Sequence, residues 1–190
     1  MSGEKETDDD QRTLKTRQAL LDSLKGLVNQ RRYEDFAVGD IIDQAEVGRS
    51  TFYDHYRGKD DMLVETMGHM LDVMAGVASE HGDVERLEAV LRHFHDNRKF
   101  AKDFFGKSPG LPVMARITRE LARRIESELE QRRSRGGAEP SVPAAWIAQQ
   151  LAEAQFAWIR AWLADDAACT PAELAKAMRS SALGSISGLC

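Results

Sequence analysis

Six side chains within one run of eleven residues could act together: Arg49, Ser50, Thr51, Tyr53, His55 and Lys59. A guanidinium matches the O6/N7 edge of guanine with two parallel hydrogen bonds, while hydroxyls and a phenol reach phosphates or base edges. An ammonium at the first turn of a helix adds its charge to the positive end of the helix dipole, which suits a phosphate. These groups could recognise a polyanion; they are not arranged to make or break bonds. The sequence contains no Ser-His-Asp arrangement, glycine-rich phosphate loop or Cys-x-x-Cys pair, so neither enzymatic activity nor a cofactor is expected.

Groove reading needs a helix that shows such groups outward while an inner face anchors it. Val47, Phe52 and Tyr56 can supply that anchor, the last two lying four residues apart. Ile41, Ile42 and Ala45 mark a short helix before them, and Leu20, Leu24, Leu27 and Val28 one face of a first helix. Two short helices separated by about four residues predict a helix-turn-helix. After Lys59, the stripe Leu63, Met67, Met70, Met74 and Val77 predicts one long fourth helix. Leu87, Leu91, Phe94 and Arg98 outline another from about Val84, broken at "GKSPGLP" (106–112). Val113–Arg133 and Trp146–Leu163 read as long helices, and Thr170-Pro171 caps a last one through about Ile186. Strand signals are nearly absent. The expected fold is all-α: an acidic disordered tail (1–10), a three-helix helix-turn-helix domain (11–60) and a helical bundle (61–190).

Two polar groupings outside the run carry less. His93 and His95 stand about 200° apart around a helix and cannot share one ion. Glu65, His69 and Asp72 share a face opposite the methionine stripe and read as solvated. No metal site is expected.

The net charge of -5 argues against a broad nucleic-acid face, yet it is unevenly spread. Residues 1–10 carry one Lys against five acids, whereas residues 11–60 carry nine Lys/Arg against eight Asp/Glu. Binding to a polyanion would therefore depend on placement more than on bulk charge. No apolar stretch approaches the roughly 18–20 residues that span a bilayer. Cys169 and Cys190 lack metal or redox spacing. A cytoplasmic location and no membrane partner are expected.

The stretch "DIIDQAEVGRSTFYDHYRGKDDML", preceded by a leucine-rich helix and an aromatic link, resembles the N-terminal domain of TetR-family transcriptional regulators. Matched position by position, the resemblance implies DNA contacts for Arg49, Ser50, Tyr53 and Lys59, a backbone contact for His55, and a hydrogen-bonded place near the helix start for Thr51. Two positions depart from the family pattern. Glu46 replaces the turn glycine, so the left-handed conformation usual there is either absent or held by a non-glycine residue at some cost. "AVGD" replaces a Thr-based opening of the second helix, losing a cap and a phosphate contact while adding Asp40.

The resemblance further implies a homodimer that reads a palindromic double-stranded operator, with half-sites about 34 Å apart, and acts as a repressor released by an effector. Its last two helices, Trp146–Leu163 and Thr170–Ile186, would form the subunit interface, to which Trp146 and Phe156 could contribute. Methionine adapts to varied apolar shapes. Met67, Met70, Met74, Phe94, Phe104, Met114, Trp158 and Trp162 are therefore expected to line a site for a small hydrophobic effector, unless they are plain core. A rival expectation is a protein-interaction module whose helix-turn-helix has lost its operator; the acidic balance and Glu46 favour it, while intact Arg49, Tyr53 and Lys59 oppose it.

Overall fold

A computed structural model of the chain describes residues 3–79, 82–107, 112–164 and 169–189, and among these every regular element is helical. The chain forms two compact units, Met1–Thr66 and Met67–Cys190. None of the described helices is long and apolar enough to cross a membrane.

The first unit holds α1 (Gly3–Gln30), α2 (Val38–Ala45), α3 (Arg49–His55) and α4 (Lys59–Thr66). Its core is built from the residues whose spacing predicts it. Leu20, Leu24 and Leu27 of α1, Ile41 and Ile42 of α2, Phe52 of α3, and Met62 and Leu63 of α4 are all buried. Each such side chain contributes about 1.5–3 kcal/mol when fully removed from water. Tyr33 and Phe36 in the short link between α1 and α2 are buried as well and meet edge-on at 5.6 Å. The acidic stretch read as a disordered tail is instead continuous with α1, which begins at Gly3.

The second unit holds α5 (Gly68–Ala75), α6 (Val84–Asp96), α7 (Arg98–Lys107), α8 (Pro112–Ser134), α9 (Ala144–Ala164) and α10 (Pro171–Leu189). Helices α8 and α9 pack along each other, α10 packs on α6, α5 on α8, and α7 on α9. Phe105 sits at the hub of an aromatic cluster, with ring centroids 5.0 Å from Phe94, 5.2 Å from Phe104 and 5.9 Å from Phe156. Thr170 caps α10 as expected. Its hydroxyl accepts from the Glu173 N–H, and the Glu173 carboxylate accepts from the Thr170 N–H at 2.8 Å.

Two helices expected to be continuous are broken. The long fourth helix divides at Met67, whose ψ is -4°. Thr66 donates its hydroxyl back to the Met62 carbonyl, a bond that bends helices, and Gly68 is a poor helix former. The helix beginning at Val84 stops at Asn97, whose side-chain amide donates to the His93 carbonyl and competes with the backbone ladder. The end of α7 is described to Lys107, while Ser108–Leu111, the heart of the expected break, lie outside the described residues.

Candidate nucleic-acid interface

The exposed run sits on α3 because the residues between its polar positions are apolar and buried. Phe52 is fully buried and Tyr56 nearly so, and their rings lie 6.1 Å apart. That inner face turns Arg49, Ser50, Tyr53 and Asp54 to solvent, with Thr51 and His55 at the boundary. The Arg49 guanidinium lies 5.8 Å from the Tyr53 ring, so the two long side chains project as one pair. Tyr53 is half exposed, unusual for so large a ring.

The turn that aims α3 is formed without a glycine. Glu46 takes φ 54° and ψ 39°, the left-handed conformation. The Val47 N–H reaches the Ile42 carbonyl at 3.2 Å and the Glu46 N–H reaches the Asp43 carbonyl at 3.3 Å. This is the two-bond closure of a Schellman motif, and a non-glycine residue holds it at a cost of about 1–2 kcal/mol. Glu46 therefore keeps the turn in place, and the open question at this position resolves in favour of the strained conformation.

The opening of α2 is capped from the other side. The Asp40 carboxylate accepts from the Ala37 N–H at 2.7 Å and from Arg31 Nη1 at 2.7 Å. Those two bonds, the backbone one first, hold the Asp40 carboxyl below its ordinary pKa. The Thr-type cap is absent as expected, Ala37 making no side-chain cap, and Asp40 supplies only the reverse half of a capping box.

Arg17 and Lys59 also have partners within this unit. Arg17 of α1 donates through Nε to the Tyr56 phenol at 3.3 Å and pairs through Nη2 with Glu65 at 2.9 Å. Its pKa is raised, chiefly by the hydrogen bond to Glu65. Burial pushes the Tyr56 phenol up in turn. Lys59, expected to meet a phosphate, also has partners within the unit. Its ammonium donates to the Tyr33 and Phe36 carbonyls, at 2.6 Å each, and lies 4.3 and 4.7 Å from the centroids of the two rings. Desolvation pulls its pKa down. Arg57, exposed between α3 and α4, is the cation that the six-residue reading passed over.

The methionines and aromatics of the second unit are only partly gathered. Met74, Phe94, Phe104, Met114 and Trp162 are buried, while Met67 and Met70 lie at the boundary. Trp158 does not share their environment: it is 41% exposed, whereas Trp162 is buried and donates its indole N–H to the Cys169 carbonyl. A four-residue separation on α9 turns one ring outward and leaves the other inside. Phe156 is fully buried in the aromatic cluster, which removes it from any surface interface, while Trp146 is 68% exposed. Sequence reading missed Gln155 altogether. It is buried, yet among the described residues neither its amide nitrogen nor its oxygen has a hydrogen-bond partner. A cleft of about 380 Å³ lies elsewhere in this unit, between the end of α8 and the start of α9, with Arg132, Arg133, Glu139 and Ile147 among its walls.

Residues 20–66 match the family model described as bacterial regulatory proteins, tetR family. Over 61 residues the chain is 38% identical to YxbF, an HTH-type transcriptional regulator of Bacillus subtilis, covering 32% of this chain and 16% of that one. Over 125 residues it is 27% identical to BetI, an HTH-type transcriptional regulator of Brucella suis, covering 60% of this chain and 63% of that one. The chain thus spans less than two thirds of the length of either relative. Among solved structures it resembles Thermus thermophilus FadR, a TetR-family transcriptional repressor in complex with lauroyl-CoA. The TM-score is 0.58 at 20% identity, covering 90% of this chain and 94% of that one. At that identity the likeness is one of fold.

Proposed function

We propose, from the match of residues 20–66 to the model of bacterial regulatory proteins, tetR family, that the chain is a regulator of that family and controls transcription by binding an operator as a homodimer. The observation that carries this reading is the outward pair Arg49 and Tyr53 on a helix anchored by Phe52 and Tyr56. Arg49 reads a guanine edge, Ser50 and Tyr53 bind phosphate or base, and Thr51 and His55 contact the backbone at the margin. The exposed Arg57 adds a phosphate contact at the end of the reading helix. The formed turn at Glu46 favours a working helix-turn-helix over a degenerate one.

One reading head covers few base pairs, so two related by a two-fold axis would read a palindrome. The exposed side of α9, carrying Trp146 and Trp158, together with α10 is the proposed seat of dimerisation, because large exposed aromatics mark association. An effector of the second unit would be an apolar compound bearing one polar group. The buried aromatic cluster supplies the apolar surroundings, and the unpaired Gln155 amide supplies a donor and an acceptor. The similarly folded Thermus protein is in complex with lauroyl-CoA, of which only the acyl chain is apolar. Repression relieved by such an effector follows if the effector binds better to the protein whose heads are off the DNA.

Fluorescence anisotropy with DNA from upstream of the chain's own coding sequence, in excess nonspecific competitor, tests the reading. A complex of two chains per duplex that survives competition supports it. Binding that competitor abolishes, or a stable monomer in sedimentation, contradicts it.

A further inference from the structure

The position of α3 that points most directly away from its own core carries a carboxylate. Phe52 and Tyr56 anchor the helix and are buried. At about 100° per residue, the direction midway between those two lies about 180° from Asp54. Ser50, one turn earlier, stands about 40° to one side of that outward line. Both side chains are exposed. Among the described residues Asp54 makes no hydrogen bond or ion pair. The carboxylates nearby are engaged: Asp61 accepts from the Arg57 N–H at 3.0 Å, and Glu65 pairs with Arg17 at 2.9 Å. Asp54 therefore keeps its acceptors for whatever meets the reading helix.

We propose that Asp54 is a specificity-determining residue, its carboxylate accepting from the N4 amino group of a cytosine in each half-site. The inference rests on the DNA-binding reading above. An ionised carboxylate has acceptors only. Guanine O6 and N7, adenine N7 and thymine O4 are acceptors as well and repel it, so the amino groups of cytosine and adenine are its partners in the major groove. Cytosine fits better. Adenine sets N7 beside its amino group, against the second carboxylate oxygen, whereas cytosine has a C–H there. Repulsion from the phosphates lowers attraction to every duplex, and the residues around α3 supply little excess positive charge to offset it. Asp54 thus acts chiefly by rejecting sequences that lack the donor.

Duplexes with a randomised central region are selected with wild type, Asp54→Ala and Asp54→Asn at one salt concentration. Wild type should recover a palindrome with a cytosine at one position of each half-site. Asp54→Ala should lose preference at that position alone. Asp54→Asn should turn it to adenine, whose N6/N7 edge matches a side-chain amide. In direct titration, exchanging that C·G pair for T·A should cost wild type about tenfold in affinity and Asp54→Ala less than about twofold. Both variants should melt at the wild-type temperature, because Asp54 is exposed, and so a changed preference does not report lost fold. An unchanged consensus in both variants overturns the proposal, whether affinity for all DNA rises (a carboxylate that only repels phosphates) or stays the same (one outside the groove). A preference lost at a base other than cytosine overturns it too. A wild type that selects no palindrome fails the functional reading, whereas a palindrome indifferent to Asp54 fails this inference alone.

Discussion

Arg17 on α1 holds Glu65 on α4 at 2.9 Å, and the same guanidinium donates to the phenol of Tyr56 at the end of α3. Three helices of the first unit thus meet at one cation. Both ends of the ion pair are substantially solvent-exposed, so its worth in stability is about 1 kcal/mol or less. Arg17→Met and Tyr56→Phe should each lower stability modestly. In a double-mutant cycle followed by urea unfolding they should be non-additive by about 0.5 kcal/mol or more, because they share a bond. Strict additivity would show that the Arg17–Tyr56 contact is idle.

Glu46 stands in the left-handed region with φ 54°. Glu46→Gly should raise stability by about 1 kcal/mol, since glycine takes that conformation without the side-chain clash. Glu46→Ala should give no such gain, because alanine keeps the Cβ that clashes. Thermal unfolding of the three proteins checks this; an equal gain from alanine would locate the effect in the lost charge instead of the turn.

Glu120 on α8 accepts from Arg123 and Arg124, and these bonds, Arg123's first, hold its carboxyl down to about 2 against an ordinary 4.5. The sign follows from linkage. A carboxyl whose folded pKa is depressed contributes stability that is present above the ordinary value and lost as pH falls through the folded one. Stability of the second unit should therefore decline from about pH 4.5 toward 2, and Glu120→Gln should flatten that part of the profile. Denaturant midpoints at successive pH values report it; an unchanged acid slope in the variant would assign the loss to other carboxylates.

Gln155 is buried with both amide atoms unpaired. Each such group costs about 1–3 kcal/mol. Gln155→Leu, close to it in volume, should stabilise the protein by about 1–3 kcal/mol. If the amide anchors the effector, the variant keeps ligand-free operator affinity and loses effector release. Stabilisation with release intact would make Gln155 an ordinary core residue.

Much of this was legible in the chain. Apolar spacing at Leu20, Leu24 and Leu27, and at Phe52 and Tyr56, gives the buried faces because burial dominates helix packing. The Thr170-Pro171 start is legible because capping is local chemistry. What escaped depended on partners distant in sequence or on competing local bonds. The break at Asn97 came from one side-chain amide, and the splitting of Trp158 from Trp162 came from where α9 meets its neighbours. Lys59 reads as a phosphate ligand by type and position, and its bonds to carbonyls 23 and 26 positions earlier are a separate feature. Tertiary hydrogen bonds to backbone leave no pattern in a sequence.

The account turns on whether α3 reads bases. Operator and single-base-pair variants of each half-site, titrated against wild type and Arg49→Ala at fixed salt, test this most directly. The account predicts that Arg49→Ala costs about 1–3 kcal/mol on the operator and erases discrimination at one base pair per half-site. An Arg49→Ala protein that keeps the full wild-type preference at every position would contradict it.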